Sequence, residues 1–161
     1  MKQKVIMCEI EKCTGCKICD LICSARKEKA FNPLLSRIRT LRVEPDFNMA
    51  CTCRLCEDPP CVKACPRNAL RKNKDTGTIM VIKEKCTGCD WCIQACEFGA
   101  LLLHPREKIV AVCDLCDGDP ECVKFCPKGA LAFITRAQIS DKNRFEAVLL
   151  RRFSKNLPLQ S

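Results

Sequence analysis

The sequence predicts a small α+β protein in which bound metal clusters replace much of the usual apolar core. Of the eighteen cysteines in this 161-residue chain, sixteen fall into four groups of four. The apolar stretches between these groups are short and read as β-strands. The chain also has no tyrosine, one tryptophan and seven phenylalanines, which is too little aromatic surface for a large core. Clusters held by the cysteines would supply the missing interior.

The four groups have the spacing of iron–sulfur ligand sets. The first and third contain the triplet C-x2-C-x2-C, which puts three thiols on one tight loop. One [4Fe–4S] cube takes four thiolates, so the chain is predicted to hold four cubes. The predicted ligands are Cys13, Cys16, Cys19 and Cys23; Cys53, Cys56, Cys61 and Cys65; Cys86, Cys89, Cys92 and Cys96; and Cys113, Cys116, Cys122 and Cys126.

Zinc sites and disulfides are the two competing explanations for so many cysteines. Four-thiolate zinc sites use two C-x2-C pairs and not triplets followed by a further cysteine. The triplet C-x2-C-x2-C argues against a secreted disulfide scaffold, because it places three thiols on one tight turn where they converge on a metal. The N-terminus also lacks the apolar run of a signal peptide. No apolar run is long enough to cross a bilayer. We therefore expect reduced thiols, a cytoplasmic location and no membrane span.

The formal net charge of +9 counts every cysteine as neutral. A cube with four thiolates carries about −2 when oxidised, so four cubes would bring the holoprotein to about +1. A nucleic-acid partner is therefore not expected. The sequence also shows no Gly-rich phosphate loop, flavin fingerprint or Ser–His–Asp set. The absence of these motifs favours a non-catalytic protein.

The chain contains an internal duplication. Lys12-Cys-Thr-Gly-Cys16 returns unchanged as Lys85–Cys89, and Leu55–Pro66 returns as Leu115–Pro127 with one residue inserted. This period is typical of a duplicated metal-binding unit.

Short elements are predicted around the groups. Strands are expected over Lys4–Ile10 and Thr78–Lys83, and a glycine-containing turn over Asn73–Gly77 predicts a hairpin. A second hairpin joins Ala100–His104 to Lys108–Val112. One or two helical turns are expected after Cys19 and Cys92, and the prolines after Cys65 and Cys126 would end the helices in the other two groups.

Two regions lie outside the duplicated metal-binding segments. Ser24–Pro45 is a basic insertion that ends in a strand-like Ser36–Val43. Ser140–Asn156 is predicted to be a C-terminal helix, with an apolar stripe of Phe145, Val148, Leu149 and Phe153. That stripe either packs on the protein's own body or docks on a partner.

Four further residues are predicted to have no ligand role. Cys8 is expected to be a small apolar filler in a strand. Cys51 could compete as a ligand, but the spacing of its group matches the repeat without it. His104 is expected to be solvated at a hairpin corner, and Trp91 to pack against its cube.

The four-group array resembles the polyferredoxin electron-transfer subunits of molybdenum and tungsten pterin enzymes, hydrogenases and carbon monoxide dehydrogenases. The resemblance covers roughly Lys4–Thr135, and Cys53–Pro66 is its most specific motif. The short chain, the Ser36–Arg42 strand and Cys113–Cys122 look most like the small subunits of tungsten aldehyde oxidoreductases or tungsten benzoyl-CoA reductases. Ser24 and Glu97 depart from the pattern, because proline usually follows the last cysteine of a run.

The resemblance implies a nested ligation. The four sets would be Cys13, Cys16, Cys19 with Cys126; Cys113, Cys116, Cys122 with Cys23; Cys53, Cys56, Cys61 with Cys96; and Cys86, Cys89, Cys92 with Cys65. Two ferredoxin-like modules follow: an inner one over 46–104 and an outer one over 1–45 and 105–135, with 136–161 as a partner-contacting tail. Spacing alone equally allows group one to pair with two and group three with four.

The resemblance also implies a function. The chain would relay single electrons through four [4Fe–4S] clusters, between a large tungsten or molybdenum pterin catalytic subunit and a further redox partner subunit or ferredoxin. A free-standing polyferredoxin that serves a carbon monoxide dehydrogenase or hydrogenase is the alternative. A structural or sensory cluster protein is a third possibility, and its clusters would not cycle reversibly. The insertion and the C-terminal helix favour the subunit, because a diffusing carrier needs neither.

Overall fold

The computed structural model describes residues 3–43 and 47–139, and these form a small mixed α/β fold. The strands are β1 Lys4–Cys8, β2 Arg39–Val43, β3 Phe47–Cys51, β4 Leu70–Lys72, β5 Ile79–Val81, β6 Leu101–Leu103, β7 Val110–Val112 and β8 Leu131–Thr135. The helices are α1 Ile18–Glu28, α2 Pro60–Lys63, α3 Trp91–Ala95 and α4 Glu121–Lys124. Single 3₁₀ turns occupy Ile10–Lys12, Pro33–Leu35, Lys83–Lys85, Leu115–Gly118 and Arg136–Gln138.

The strands form four antiparallel pairs. Three are hairpins between sequence neighbours: β2 with β3, β4 with β5, and β6 with β7. The fourth joins the two ends of the described chain, because β1 pairs with β8 and sets Lys4 opposite Thr135 and Cys8 opposite Leu131. A two-stranded sheet is marginally stable alone. Each pair therefore depends on packing, such as the contacts of β5 with β7 and of β1 with β3.

The predicted strands and hairpins are confirmed, with shorter bounds. Lys4–Ile10 forms β1 and then enters a 3₁₀ turn, and the segment predicted over Thr78–Lys83 contains β5. The turn between β4 and β5 is closed by the N–H of Gly77 donating to the carbonyl of Asn73 at 2.9 Å. Gly77 has φ +74°, a conformation that glycine adopts without the strain of a side chain.

The prediction of one or two helical turns after Cys19 is wrong, because α1 has eleven residues, about three turns. Helices α2 and α4 have four residues each and end ahead of Pro66 and Pro127. In α1 the residue after the last cysteine is Ser24, which lets the helix continue. Ser24 is fully buried, and its hydroxyl donates to the Leu21 carbonyl and accepts the N–H of Asn32. The helix therefore leads directly into the insertion and anchors it.

The core consists of aliphatic side chains and cysteines. Ile38, Met49, Leu55 and Leu101 are almost completely buried, and they share one cluster with cysteines of all four groups. The aromatic side chains of the described residues lie at the edge of this core: Phe47, Phe98 and Phe133 are partly buried, whereas Phe31, Phe125 and Trp91 are exposed. This agrees with the thin core that composition predicts.

Two expectations concern the ends and the environment of the chain. The predicted C-terminal helix over Ser140–Asn156 lies outside the described residues. Within 3–43 and 47–139, no helix combines the length and apolar character needed to cross a bilayer.

Candidate metal centres

Twelve of the sixteen predicted ligands line three cavities, four cysteines to each. Centre I is lined by Cys13, Cys16, Cys19 and Cys126. Centre II is lined by Cys23, Cys113, Cys116 and Cys122. Centre IV is lined by Cys65, Cys86, Cys89 and Cys92. In every case three cysteines come from one group and the fourth is the last cysteine of another group.

The remaining four cysteines, Cys53, Cys56, Cys61 and Cys96, form centre III. Burial raises the pKa of Cys53 and Cys61 to about 12 and also raises that of Cys56. In all three, the charge of Cys96 adds to this rise. Cys96 therefore lies within electrostatic range of the whole second-group triplet. The four centres thus combine cysteines in the way that nested ligation requires, while the ligation itself stays a prediction.

Each fourth cysteine is held by a backbone hydrogen bond. The sulfurs of Cys65, Cys96 and Cys126 accept the N–H groups of Ala69, Ala100 and Ala130, at 3.2, 3.4 and 3.3 Å. The preceding residue in each turn, Asn68, Gly99 or Gly129, has positive φ, so the chain folds back over the sulfur. Cys23 lies inside α1, and its sulfur accepts the N–H of Arg37 at 3.3 Å instead.

Burial raises the pKa of eight of the sixteen predicted ligand thiols, which favours their protonated form in the absence of metal. It raises the pKa of Cys19 and Cys113 to about 12 and that of Cys92 to about 11. It also raises the pKa of Cys122. Metal binding must therefore displace their protons. Within the described residues, no three His, Cys, Asp or Glu side chains converge tightly enough for a single ion. In centres I, II and IV the four cysteines line one shared cavity each.

The two cysteines outside the groups are both buried. Cys8 is buried as predicted, and its sulfur also accepts the N–H of Ala50 at 3.3 Å. Cys51 donates its S–H to the carbonyl of Phe98 at 3.1 Å. Burial raises the pKa of Cys51 to about 11.

The prediction that His104 is solvated is wrong, because only 4% of its surface is exposed. The turn of the β6–β7 hairpin lies against the end of α1. There the His104 Nε2 atom lies 3.5 Å from the Glu28 carboxylate. Its Nδ1 atom accepts the N–H of Glu107 at 3.1 Å. Trp91 is 61% exposed beside centre IV, and its contact with a cube stays a prediction.

Sequence reasoning missed a charged cluster that joins the insertion to centre II. The Arg37 guanidinium lies 3.2 Å from Asp114 and 3.5 Å from Glu28, and Lys27 lies 2.7 Å from Asp114. Burial raises the pKa of Asp114, but the hydrogen bond from Lys27 and further contacts outweigh it, so the pKa falls below its ordinary value. These residues are separated by up to 87 positions, and no local pattern could have revealed them.

Comparisons with known proteins agree with this arrangement. A family model described as a 4Fe-4S dicluster domain matches residues 46–136. The chain is 40% identical over 105 residues to the aliphatic sulfonate oxidoreductase polyferredoxin-like subunit of Pyrococcus furiosus, covering 65% of this chain and 61% of that protein. It is 35% identical over 121 residues to the putative electron transport protein YsaA of Escherichia coli, covering 70% of this chain and 75% of that protein.

A solved structure extends the likeness to nearly the whole chain. The active-site complex BamBC of benzoyl coenzyme A reductase, in complex with zinc, has a chain that matches 96% of this chain with a TM-score of 0.51 and 25% identity. The match covers 92% of that chain. The two relatives are named as a polyferredoxin-like subunit and as a putative electron transport protein. With more than half of its residues matched by the family model, this chain belongs to the family of 4Fe-4S dicluster domains.

Proposed function

We propose that this chain is the electron-transfer subunit of an oxidoreductase complex and relays single electrons through four [4Fe–4S] cubes. One cube would be bound at each of centres I to IV, by the four cysteines that define it. The observation that carries the proposal is the grouping itself: the last cysteine of each group lies with the triplet of another group. Such crossed ligation is what ties neighbouring cubes together in two-cluster ferredoxins.

We infer that the centres follow one another in a row. Cys19 of centre I contributes to the raised pKa of Cys122 in centre II. Cys53 of centre III does the same for Cys113 of centre II, and Cys92 of centre IV for Cys61 of centre III. Each step joins neighbouring centres, so the order that we infer is I, II, III, IV. A row of this kind carries an electron from one end of the molecule to the other.

Both ends of the row lie at the surface. Cys16 of centre I and Cys89 of centre IV are exposed, whereas every cysteine of centres II and III is buried or partly buried. Exposed Lys17 and Trp91 lie beside the two ends. We infer that electrons enter and leave through the loops around Cys16 and Cys89.

The chain's own residues prepare these sites in two ways. The clusters would supply the one-electron redox change. The buried, largely aliphatic surroundings exclude water from the cysteines, and backbone N–H groups point at the sulfurs of each fourth ligand. Hydrogen bonds and solvent exclusion are two of the factors that set cluster potentials.

We also propose the two ferredoxin-like modules, an inner one over 46–104 and an outer one over 1–45 and 105–135. The pairing of β1 with β8 supports the outer module, since it joins segments from both ends of the chain. Both boundaries fall inside hairpins, between β2 and β3 and between β6 and β7. The modules would therefore be connected by paired strands and not by flexible linkers.

The partner that we propose is a large catalytic subunit that contains a tungsten or molybdenum pterin, with the tail over 136–161 as a contact. The names of the relatives support this proposal, since they include subunits of a sulfonate oxidoreductase and of dimethyl sulfoxide reductase. The BamBC complex of benzoyl coenzyme A reductase adds a structural likeness. A further redox subunit or ferredoxin would serve the opposite end of the row.

The test is anaerobic purification of the tagged chain from its source cells. We expect a large subunit to co-purify, tungsten or molybdenum to be present in stoichiometric amounts, and the visible absorption to bleach and recover reversibly. Recovery of the chain alone, with reversible clusters, would support the free-standing carrier. Clusters that cannot be cycled would point to a structural or sensory role.

A further inference from the structure

The two ends of the row of centres contain the same five-residue loop and differ in the two residues that follow it. The loop is Lys-Cys-Thr-Gly-Cys, and its last cysteine is exposed at both ends. Beside centre I the next residues are Lys17 and Ile18. Beside centre IV they are Asp90 and Trp91. Lys17 and Asp90 each precede a helix with positive φ, at 61° and 63°. The chain therefore turns in the same way at both positions, and the side chains distinguish the two ends.

The surface around centre I is basic. Its cavity is lined by no carboxylate of the described residues, but by three exposed lysines, Lys12, Lys17 and Lys128. Exposed Arg42 adds a fourth cation, because its side chain lies over Gly15 in the same loop. The Lys12 Nζ atom lies 2.8 Å from Glu9, in a pair that water screens because both side chains are partly exposed. We call the three lysines and Arg42 the basic face.

The surface around centre IV has a different charge and a large aromatic side chain. Two cations, Arg67 and Lys85, line its cavity together with Asp90. One carboxylate oxygen of Asp90 is buried without a hydrogen-bond partner. An oxidised cube adds about −2 at each end. With the lining residues counted, the surface around centre I therefore keeps a positive charge, whereas that around centre IV becomes slightly negative. Trp91 is 61% exposed there.

The course of the chain places the proposed contact tail away from centre I. Strand β8 begins with Leu131, which lines the cavity of centre I. Five residues later Arg136, the first residue of the tail, lies against the loop of centre III, where its guanidinium donates to the Leu55 carbonyl. In the inferred order of the centres, this point is next to centre IV and two centres from centre I. A subunit held by the tail is therefore closer to centre IV.

The two surfaces fit different kinds of partner. Tryptophan is enriched among the residues that contribute most to binding in lasting interfaces, whereas lysine is depleted there. Clustered charges of one sign instead accelerate the encounter with an oppositely charged protein. Interfaces of electron-transfer encounters are small and weak, which lets the carrier leave again. A basic face therefore suits an acidic carrier, and an exposed tryptophan suits a permanent subunit.

We propose that the basic face is the docking surface for an acidic, diffusing protein that carries one electron, and that the surface around Asp90 and Trp91 is covered by the catalytic subunit. This inference rests on the proposed function and assigns a partner to each end of the row. One electron passes in each encounter, so the cube at centre I gains the electron that the carrier loses, or the reverse.

The test is stopped-flow electron transfer from a reduced acidic ferredoxin to the oxidised complex of this chain with its co-purified large subunit. Lys17→Asp introduces the residue that centre IV has at this position. We expect it to lower the second-order rate constant about three- to tenfold at low salt. The difference should shrink as salt is added, because salt screens the charges.

Asp90→Lys is the matched control. In the complex it should leave the rate constant unchanged, because the large subunit covers that surface. In the chain without the large subunit it should raise the rate constant, because it creates a second basic surface. Iron analysis of each variant shows that the cubes are intact.

A second pair of variants exchanges the apolar residues. Trp91→Ile should weaken binding of the large subunit about tenfold or more, since it removes an aromatic anchor. Ile18→Trp, at the matching position beside centre I, should leave that affinity unchanged. Size-exclusion chromatography over a range of concentrations measures the affinity.

Three results would overturn the proposal. The first is an unchanged rate constant at low salt for fully loaded Lys17→Asp. The second is a rise for Asp90→Lys in the complex, which would place the carrier at centre IV. The third is full affinity of Trp91→Ile for the large subunit. If Lys17→Asp loses iron, Lys128→Glu tests the same face. If no large subunit co-purifies, the proposed function fails, and Lys17→Asp in the chain alone still decides whether the basic face receives the carrier.

Discussion

The sulfur of the last cysteine in each group accepts a backbone N–H, but the donor residue differs between the groups. In three groups its sulfur accepts an N–H four residues further on, at Ala69, Ala100 or Ala130. In the first group the donor is Arg37, fourteen residues on. Glu97 keeps the turn despite replacing the usual proline, whereas Ser24 continues the helix and the insertion must supply the donor instead. The sulfur of Cys23 therefore keeps a backbone hydrogen bond although the chain after it is helical.

Replacing Cys65 by alanine should damage centre IV and leave centre III with all its ligands. The reason is that Cys65 lies with Cys86, Cys89 and Cys92, not with the other cysteines of its own group. Iron analysis and resonance spectra of the purified variant would measure the loss, expected to be about one to four iron atoms.

Cys96→Ala is the matched control for this experiment. It should damage centre III and spare centre IV, since Cys96 lies with Cys53, Cys56 and Cys61. A structure in which Cys65 binds the same cube as Cys61 would refute the crossed ligation.

At the scale of elements, the insertion packs against the segments that carry the cysteine groups and does not stand apart from them. Helix α1 packs on α4 and on β2, and it continues into the 3₁₀ turn at Pro33–Leu35. Arg37 then bridges Glu28 and Asp114, so the helix end, the insertion and the fourth ligand loop are joined by charge as well as by packing. Because Asp114 directly follows Cys113, this cluster also orients centre II.

Arg37→Ala should therefore destabilise the holoprotein by about 1–2 kcal/mol, because it leaves two partly buried carboxylates without their shared partner. For a chain of this size that corresponds to a fall of several degrees in Tm. Thermal unfolding at one fixed scan rate, under anaerobic conditions, measures the difference. The iron content should not change, because the backbone N–H of Arg37 still reaches Cys23.

The control is Lys83→Ala, which removes an ion pair with Glu107 whose side chains are 64% and 46% exposed. Exposed pairs of this kind contribute little to stability, because water screens them. Equal effects of the two substitutions would mean that the Arg37 cluster is no more than a surface contact.

At the scale of the whole molecule, the clusters would complete a core that the side chains leave thin. Buried cysteines lie among the aliphatic residues in one continuous cluster, and the aromatic side chains of the described chain lie outside it. Occupied centres would also offset most of the formal +9 charge, since each oxidised cube contributes about −2.

We predict close to sixteen iron and sixteen sulfide per chain in anaerobically prepared protein, on the basis of four complete ligand sets. Chemical analysis of both elements, together with the visible absorption before and after reduction, is the measurement. Twelve or fewer iron atoms, or stoichiometric zinc, would contradict the prediction.

Deletion of Ser140–Ser161 should leave all cubes in place and weaken binding to the catalytic subunit by well over tenfold. The deleted segment contains no cysteine. Its stripe of Phe145, Val148, Leu149 and Phe153 would fill a groove on the partner, at about 1.5–3 kcal/mol for each buried side chain before ordering costs.

Size-exclusion chromatography of the truncated chain with its partner measures this effect. An intact complex of unchanged affinity would rule out docking by the segment. Loss of clusters would instead indicate that the stripe packs on the protein's own body.

The sequence by itself determined the four ligand groups, the internal duplication and most of the short strands, because ligand spacing, turn residues and alternating side chains are local properties. It could not determine which group supplies each fourth cysteine, since all four groups have similar spacing. The tertiary structure pairs β1 with β8 and brings Cys126 to the same cavity as Cys13, and this grouping supports the crossed ligation that we propose. It also decided the burial of His104 and the Arg37 cluster, because both depend on contacts between residues far apart in the chain. Such contacts follow from how the hairpins and α1 pack, which no short stretch of sequence encodes.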